Sequence, residues 1–130
     1  MAKTTTTAAH VLVVEDDALI ALDIEQMLVE LGSVRVTVAH DLEMGLDALE
    51  AACPDLAILD LDLGSCDSLP IAARMASLGK PYLFLTGYQA SEMGRLRGAQ
   101  AHAHGDADVL EKPFSIDALA QMVRRLLPPR

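Results

Sequence analysis

Val11-Leu12-Val13-Val14-Glu15-Asp16-Asp17 joins an unbroken apolar run to three successive carboxylates. Four consecutive apolar residues, three of them Val, show no alternation, so both faces of this run are expected to be buried, as in the interior of a parallel sheet. The same grammar recurs along the chain. Leu56-Ala57-Ile58-Leu59 is continuous and runs into Asp60-Leu61-Asp62-Leu63-Gly64, and Tyr82-Leu83-Phe84-Leu85 runs into Thr86-Gly87-Tyr88. A shorter run, Val109-Leu110, precedes Glu111-Lys112-Pro113-Phe114. Val34, Val36 and Val38 instead alternate with Arg35 and Thr37, the pattern of a half-exposed edge strand.

Helical periodicity fills the intervals. Ile20, Ile24, Met27, Leu28 and Leu31 share one helix face, with Gly32 where a left-handed terminating residue belongs. Asp41 is expected to cap a helix through Ala52 with Leu42, Leu46 and Leu49 inward. Asp67 or Ser68 caps a short helix with Pro70 in its first turn, and Ser115 caps a last one carrying Ile116, Leu119, Val123 and Leu126 inward. Between them, residues 89–105 hold few large apolar side chains, chiefly Met93 and Leu96, and three glycines at 94, 98 and 105. That weak anchoring predicts a mobile fourth helix. Strand runs alternating with helices predict an α/β fold, a doubly wound five-stranded parallel sheet built as (βα)5. In such sheets ligands bind beyond the carboxyl ends of the strands, so the residues that terminate each run are the ones to inspect.

Composition narrows the function. The chain has 130 residues, 52% of them apolar, which suits one domain with one core and excludes a disordered chain. Residues 1–9 read as a disordered polar lead-in without the apolar segment of a signal peptide, and 10–130 as the domain. No apolar run exceeds the five residues Ala18 to Leu22, too short to span a bilayer. The net charge of −9 speaks against binding nucleic acid or an anionic membrane surface. It is unevenly placed: residues 1–70 carry 14 acids and two bases, residues 71–130 five acids and eight bases. Cys53 and Cys66 lack a disulfide or metal spacing and read as buried or half-buried small hydrophobes in a reducing, cytoplasmic setting. Met44, Met75, Met93 and Met122 read as core fillers.

In a parallel sheet the four strand ends converge, bringing Glu15, Asp16 and Asp60 together with the Thr86 hydroxyl and the Lys112 ammonium. Clustered carboxylates repel one another, and a hard divalent cation with oxygen ligands relieves that repulsion; Mg2+ suits a few carboxylates, a carbonyl and phosphate. The chemistry suggested is phosphoryl transfer onto a carboxylate. The ordered set Val13-Val14-Glu15-Asp16, Leu59-Asp60, Thr86-Gly87 and Lys112-Pro113-Phe114 resembles the receiver domain of bacterial response regulators, over His10 to Leu127.

The resemblance implies a flavodoxin-like fold, Asp60 as phosphoacceptor, and Mg2+ held directly by Asp16, through water by Glu15, and by Asp60 and the backbone carbonyl of Asp62. It implies that Thr86 bonds the phosphoryl oxygen, that Lys112 pairs with it, and that the peptide before Pro113 is cis. The implied partners are a sensor histidine kinase or phosphotransfer protein and a downstream protein target reading the surface of the last two helices and strand. Phe84-Leu85-Thr86-Gly87-Tyr88 is further similar to the Phe-Ala-Thr-Gly-Tyr signature of a subgroup of stand-alone receivers with a short third helix, and only 26 positions separate Asp60 from Thr86.

The expectation is therefore a single-domain response regulator that catalyses only its own phosphorylation and dephosphorylation. The alternatives are an aspartate-nucleophile phosphohydrolase, suggested by Asp60-x-Asp62, and a phosphorylation-independent adaptor of receiver fold. Asp17 competes with Asp16 for the metal but also suits a helix start. Thr86, before a glycine, is expected to be exposed at its strand's end. Tyr88 is read as taking over part of a switch role, because the usual aromatic position is Val109. His102 and His104 read as a solvated loop pair rather than a metal site.

Overall fold

The computed structural model describes residues 8–32, 34–64, 66–87 and 108–127. Five strands form one parallel sheet: β1 (Ala9–Val14), β2 (Val34–Ala39), β3 (Leu56–Asp60), β4 (Tyr82–Thr86) and β5 (Asp108–Glu111), in the order β2-β1-β3-β4-β5. Four helices accompany them among the described residues: α1 (Ala18–Glu30), α2 (Leu42–Ala51), α3 (Leu69–Ser77) and α4 (Ile116–Leu126). No helix among the described residues is long and apolar enough to cross a membrane. The fold is thus the expected flavodoxin-like (βα) arrangement. The segment 89–105 expected to hold a further helix, together with Tyr88, His102 and His104, lies outside the described residues. So do residues 1–7; β1 begins at Ala9, which makes the last residue of the expected lead-in a strand residue.

Local chemistry sets the element boundaries. Asp17 caps α1, its Oδ1 accepting from the amides of Leu19 and Ile20 at 2.9 and 3.2 Å, and Gly32 follows the helix at φ +76°. Asp41 Oδ1 accepts from Met44 N at 2.7 Å and Ser115 Oγ from Ala118 N at 3.0 Å, as their positions predicted. At α3 the two candidates divide the work: Ser68 is the N-cap residue by position but makes no side-chain cap bond, while Asp67 Oδ1 accepts from Leu69 N at 3.1 Å.

The sheet separates two cores because successive strand side chains point to opposite faces. Leu12, Val14, Leu59 and Phe84 pack with Leu49, Ile71 and Met75 under α2 and α3. Val11, Val13, Ile58 and Leu85 pack with Ile24, Leu28, Leu119 and Val123 under α1 and α4. β2 is an edge strand of mixed burial, as its alternation required. Four residues expected to be buried or half-buried are exposed. Ile116 is exposed, because as the first residue of α4 it sits a turn before the stripe of Leu119, Ala120 and Val123 that meets the sheet. Met44 is exposed, lying one residue from the buried Gly45 and so rotated off the packed face of α2. Cys53 and Cys66 are both exposed, since each sits in a connection rather than in a packed element.

Candidate functional site

Every parallel strand points its carboxyl end the same way, so Glu15, Asp60, Thr86 and Lys112 gather at one edge of the sheet because each follows or ends a strand. Glu15 is fixed by its own backbone, whose N–H donates to Ala39 O at 3.0 Å and extends the β1–β2 ladder by one residue. Its side chain is fully buried. Asp60 closes β3 opposite Leu85 and is 4% exposed. Lys112 is positioned by a 2.8 Å bond from its backbone N–H to Thr86 O, continuing the β4–β5 pairing, and the peptide that follows it, Lys112–Pro113, is cis as the resemblance implied.

Lys112 Nζ lies 3.1 Å from Glu15 Oε1 and 3.1 Å from Asp60 Oδ2. One carboxylate oxygen from each of Glu15, Asp16 and Asp60 falls within 4.8 Å of the others, with Asp16 the exposed member. Asp17, the competitor for that place, is occupied in capping α1 and stands outside the cluster. The acids open into a cleft of about 380 Å³ whose lining adds Asp17, Ile20, Asp62, Gly64 and Gly87.

The electrostatics follow from burial. Desolvation first, then the hydrogen bond with Asp60 and the Asp60 charge, raise the Glu15 carboxyl from an ordinary 4.5 to about 8, against the lowering pull of the Asp17 backbone N–H and Lys112. Burial by itself lowers the Lys112 ammonium, but the Asp60 charge and the bonds and charge of Glu15 outweigh it, so the group is raised and stays protonated. Without a further cation, the cluster can neutralise itself only by holding a proton. Three oxygen donors at this spacing, two of them buried and one open to solvent, fit a small hard divalent ion.

Thr86 departs from expectation. It is fully buried, and its Oγ1 has no hydrogen-bond partner among the described residues. β4 lies between β3 and β5, and both neighbours reach as far as the strand's last residues, so the end of β4 is covered where an edge strand's would be open. Asp62 is exposed, its Oδ1 turned to Gly64 N at 2.9 Å. Beyond it a small hairpin forms, with Asp62 bridged to Asp67 and Leu63 N donating to Cys66 O at 2.9 Å, so α3 starts only at Leu69 and spans nine residues. Ile20, Gly64 and Gly87 also line the cleft; the sequence set the two glycines in strand-end stretches and Ile20 on a helix face, without assigning any of them to the site.

Comparison with known proteins agrees with this geometry. The response regulator receiver domain family matches residues 11–124. The transcriptional regulatory protein PdtaR of Mycobacterium tuberculosis is 36% identical over 112 residues, covering 85% of this chain and 52% of that protein. The chain therefore spans about half the length of the curated relatives it matches. Among solved structures, the receiver domain of NtrX from Brucella abortus superposes with a TM-score of 0.77 at 26% identity, covering 90% of this chain and 97% of that one. A CheY-like receiver domain protein from Methanospirillum hungatei gives a TM-score of 0.75 at 22% identity, covering 90% and 91% respectively, a likeness of fold. Strand order, acidic strand ends and family match together place the chain in the response regulator receiver domain family, the phosphoacceptor modules of two-component signalling.

Proposed function

We propose that this chain accepts a phosphoryl group on Asp60 from the phosphohistidine of a sensor histidine kinase or phosphotransfer protein, or from a small donor such as acetyl phosphate. A carboxylate oxygen of Asp60 forms the new O–P bond as the P–N or P–O bond of the donor breaks, and the donor departs with the bonding electrons. Lys112 is the cation beside that oxygen, and its Nζ at 3.1 Å neutralises charge as it develops. Asp16, Asp60 and the Asp62 carbonyl would hold Mg2+ directly and Glu15 through water, a reading supported by Asp16 being the one exposed member of the three clustered carboxylates. When bound, Mg2+ would supply positive charge to the phosphoryl oxygens. The Thr86 hydroxyl, buried without a partner among the described residues, has hydrogen-bonding capacity to give to a phosphoryl oxygen.

The observation that carries this reading is the meeting of Glu15, Asp16 and Asp60 within 4.8 Å at one strand edge. In this reading the chain is a cytoplasmic switch that catalyses only its own phosphorylation and dephosphorylation and presents a changed surface to a protein target. The late start of α3 supports kinship with the stand-alone subgroup. Incubation with Mg2+ and acetyl phosphate, followed by intact mass measurement, tests it. One added phosphate on the wild type, absent from Asp60→Asn, is the expected result; no adduct on either leaves the adaptor reading ahead.

A further inference from the structure

His10 is a buried titratable side chain at the end of the sheet opposite the acidic cleft, and the phosphoryl chemistry does not use it. It lies in β1 on the same face as Leu12 and Val14, and only 5% of it is exposed. Its backbone clamps the entry to β3: His10 N–H donates to Asp55 Oδ2 at 2.8 Å, and Asp55 N–H donates to His10 O at 2.7 Å. Its ring ties β1 to β2, with Nε2 2.8 Å from Thr37 Oγ1. The other ring nitrogen, Nδ1, is buried and has no hydrogen-bond partner among the described residues.

The orphaned nitrogen decides what the ring can carry. A neutral imidazole bears one N–H, and an imidazolium bears one on each nitrogen. Whichever neutral tautomer is present, a proton added from water leaves a charged N–H at Nδ1 with no acceptor among the described residues, in a place closed to solvent. The surrounding charges do not compensate. Arg35 stands opposite His10 in the β1–β2 register and repels a second cation. Asp55 attracts it, but its Oδ2 already accepts from His10 N, and its Oδ1 lies 3.9 Å from Lys80 Nζ in the connection before β4. α2, which covers this face of β1, carries Asp47 and Glu50 exposed to solvent, and Glu50 is held by Arg74 of α3 at 3.1 Å. Cys53, in the connection after α2, is also exposed. Burial first and Arg35 second hold the imidazole below its ordinary 6.5, against the pull of Asp55. We propose that His10 is an acid-operated latch: while neutral it fastens the amino ends of β1 and β2 to each other and to the start of β3, and on taking a proton it leaves its pocket and frees them. The latch does not depend on the assignment of Asp60.

The sign follows from linkage. Above pH 6.5 the ring is neutral in the folded and the opened chain, and the latch is at full strength. Below 6.5 the opened chain takes the proton first, so opening becomes up to about tenfold more favourable per pH unit until the folded ring also titrates. Amide hydrogen exchange of the full chain from about pH 7.5 to about pH 5, corrected for the intrinsic pH dependence of exchange, tests it together with the ring carbon and nitrogen shifts of His10. Protection at residues 9–13 and 34–38 should fall on the order of tenfold per pH unit below 6.5 while β4 and α4 keep theirs, and the ring should become charged in step with that loss. His10→Gln, which fills the site without titrating, should hold its protection level across the range; should that variant not fold, the wild-type ring shifts and exchange pattern decide alone. Unchanged β1–β2 protection to the acid end of the range, whether or not the ring ionises, would overturn the proposal. So would a loss shared equally by β4 and α4, a loss that precedes ring ionisation, or the same loss in His10→Gln.

Discussion

Glu15 makes the metal-free protein sensitive to pH in a direction opposite to that of an ordinary paired carboxylate. Its folded value of about 8 lies above the 4.5 of the unfolded chain, because burial and Asp60 disfavour the charged form. The folded state therefore binds the extra proton between these values. Below pH 4.5 both states are protonated and the group is neutral to stability; above it, each pH unit favours unfolding by about 1.4 kcal/mol until the folded group also ionises near pH 8. By pH 7 the cost is on the order of 3 kcal/mol, a large share of the 5–15 kcal/mol typical of a domain. Glu15→Gln keeps the shape and the neutral form and removes the titration. Urea denaturation in the presence of a chelator, run on both proteins from pH 4.5 to 8, should show nearly equal stability at the acid end. The variant should then draw ahead by roughly 1–3 kcal/mol at pH 7. Parallel curves across that range would refute the reasoning, as would a wild type that gains on the variant with rising pH.

Other consequences follow from the same coordinates. Millimolar Mg2+ should raise the melting temperature of the wild type at pH 7.5 and do so much less for Glu15→Gln or Asp16→Asn; equal shifts in all three would place the ion elsewhere. Gly45→Ala adds a Cβ that would stand 2.6 Å from Ile71 Cδ1 and 3.2 Å from Val14 Cγ2. Overpacking of about 1–3 kcal/mol should outweigh the gain of up to about 1 kcal/mol in helix propensity, so the urea midpoint should fall; a rise would show that Ile71 yields freely. Asp67→Ala should cost about 1 kcal/mol in thermal unfolding by uncapping α3, whereas Ser68→Ala, whose buried hydroxyl has no partner among the described residues, should be neutral or stabilising. Equal losses in the two would assign the cap to both.

How much of this was legible in the sequence depends on the range of the cause. The caps at Asp17, Asp41 and Ser115 and the terminator Gly32 act within four residues, so their chemistry is written locally. The strand ends were legible because a parallel sheet gathers them by construction, which is why Glu15, Asp16, Asp60 and Lys112 were found together. Burial was less readable. Thr86 was expected to be open because glycine follows it, yet it ends a central strand and is fully buried. Met44, Ile116, Cys53 and Cys66 are apolar by type but exposed by rotation about a helix axis, by position at a helix start or by placement in a connection, and composition cannot see any of these. Gly45 passed unremarked, since its meaning lies in Ile71 and Val14, 26 and 31 positions away.

That glycine has a reach beyond its own helix. Val14, which a Cβ at position 45 would meet at 3.2 Å, is the residue immediately before Glu15, and Glu15 is bonded to the end of β2. The depth at which α2 settles is therefore transmitted through one peptide unit to the mouth of the acidic cleft. Among descendants of this chain, positions 14, 45 and 71 should drift as a set. A larger residue at 45 should be tolerated only where 14 or 71 has shrunk, and a lineage that breaks the correspondence should show it first in how tightly it holds its cation.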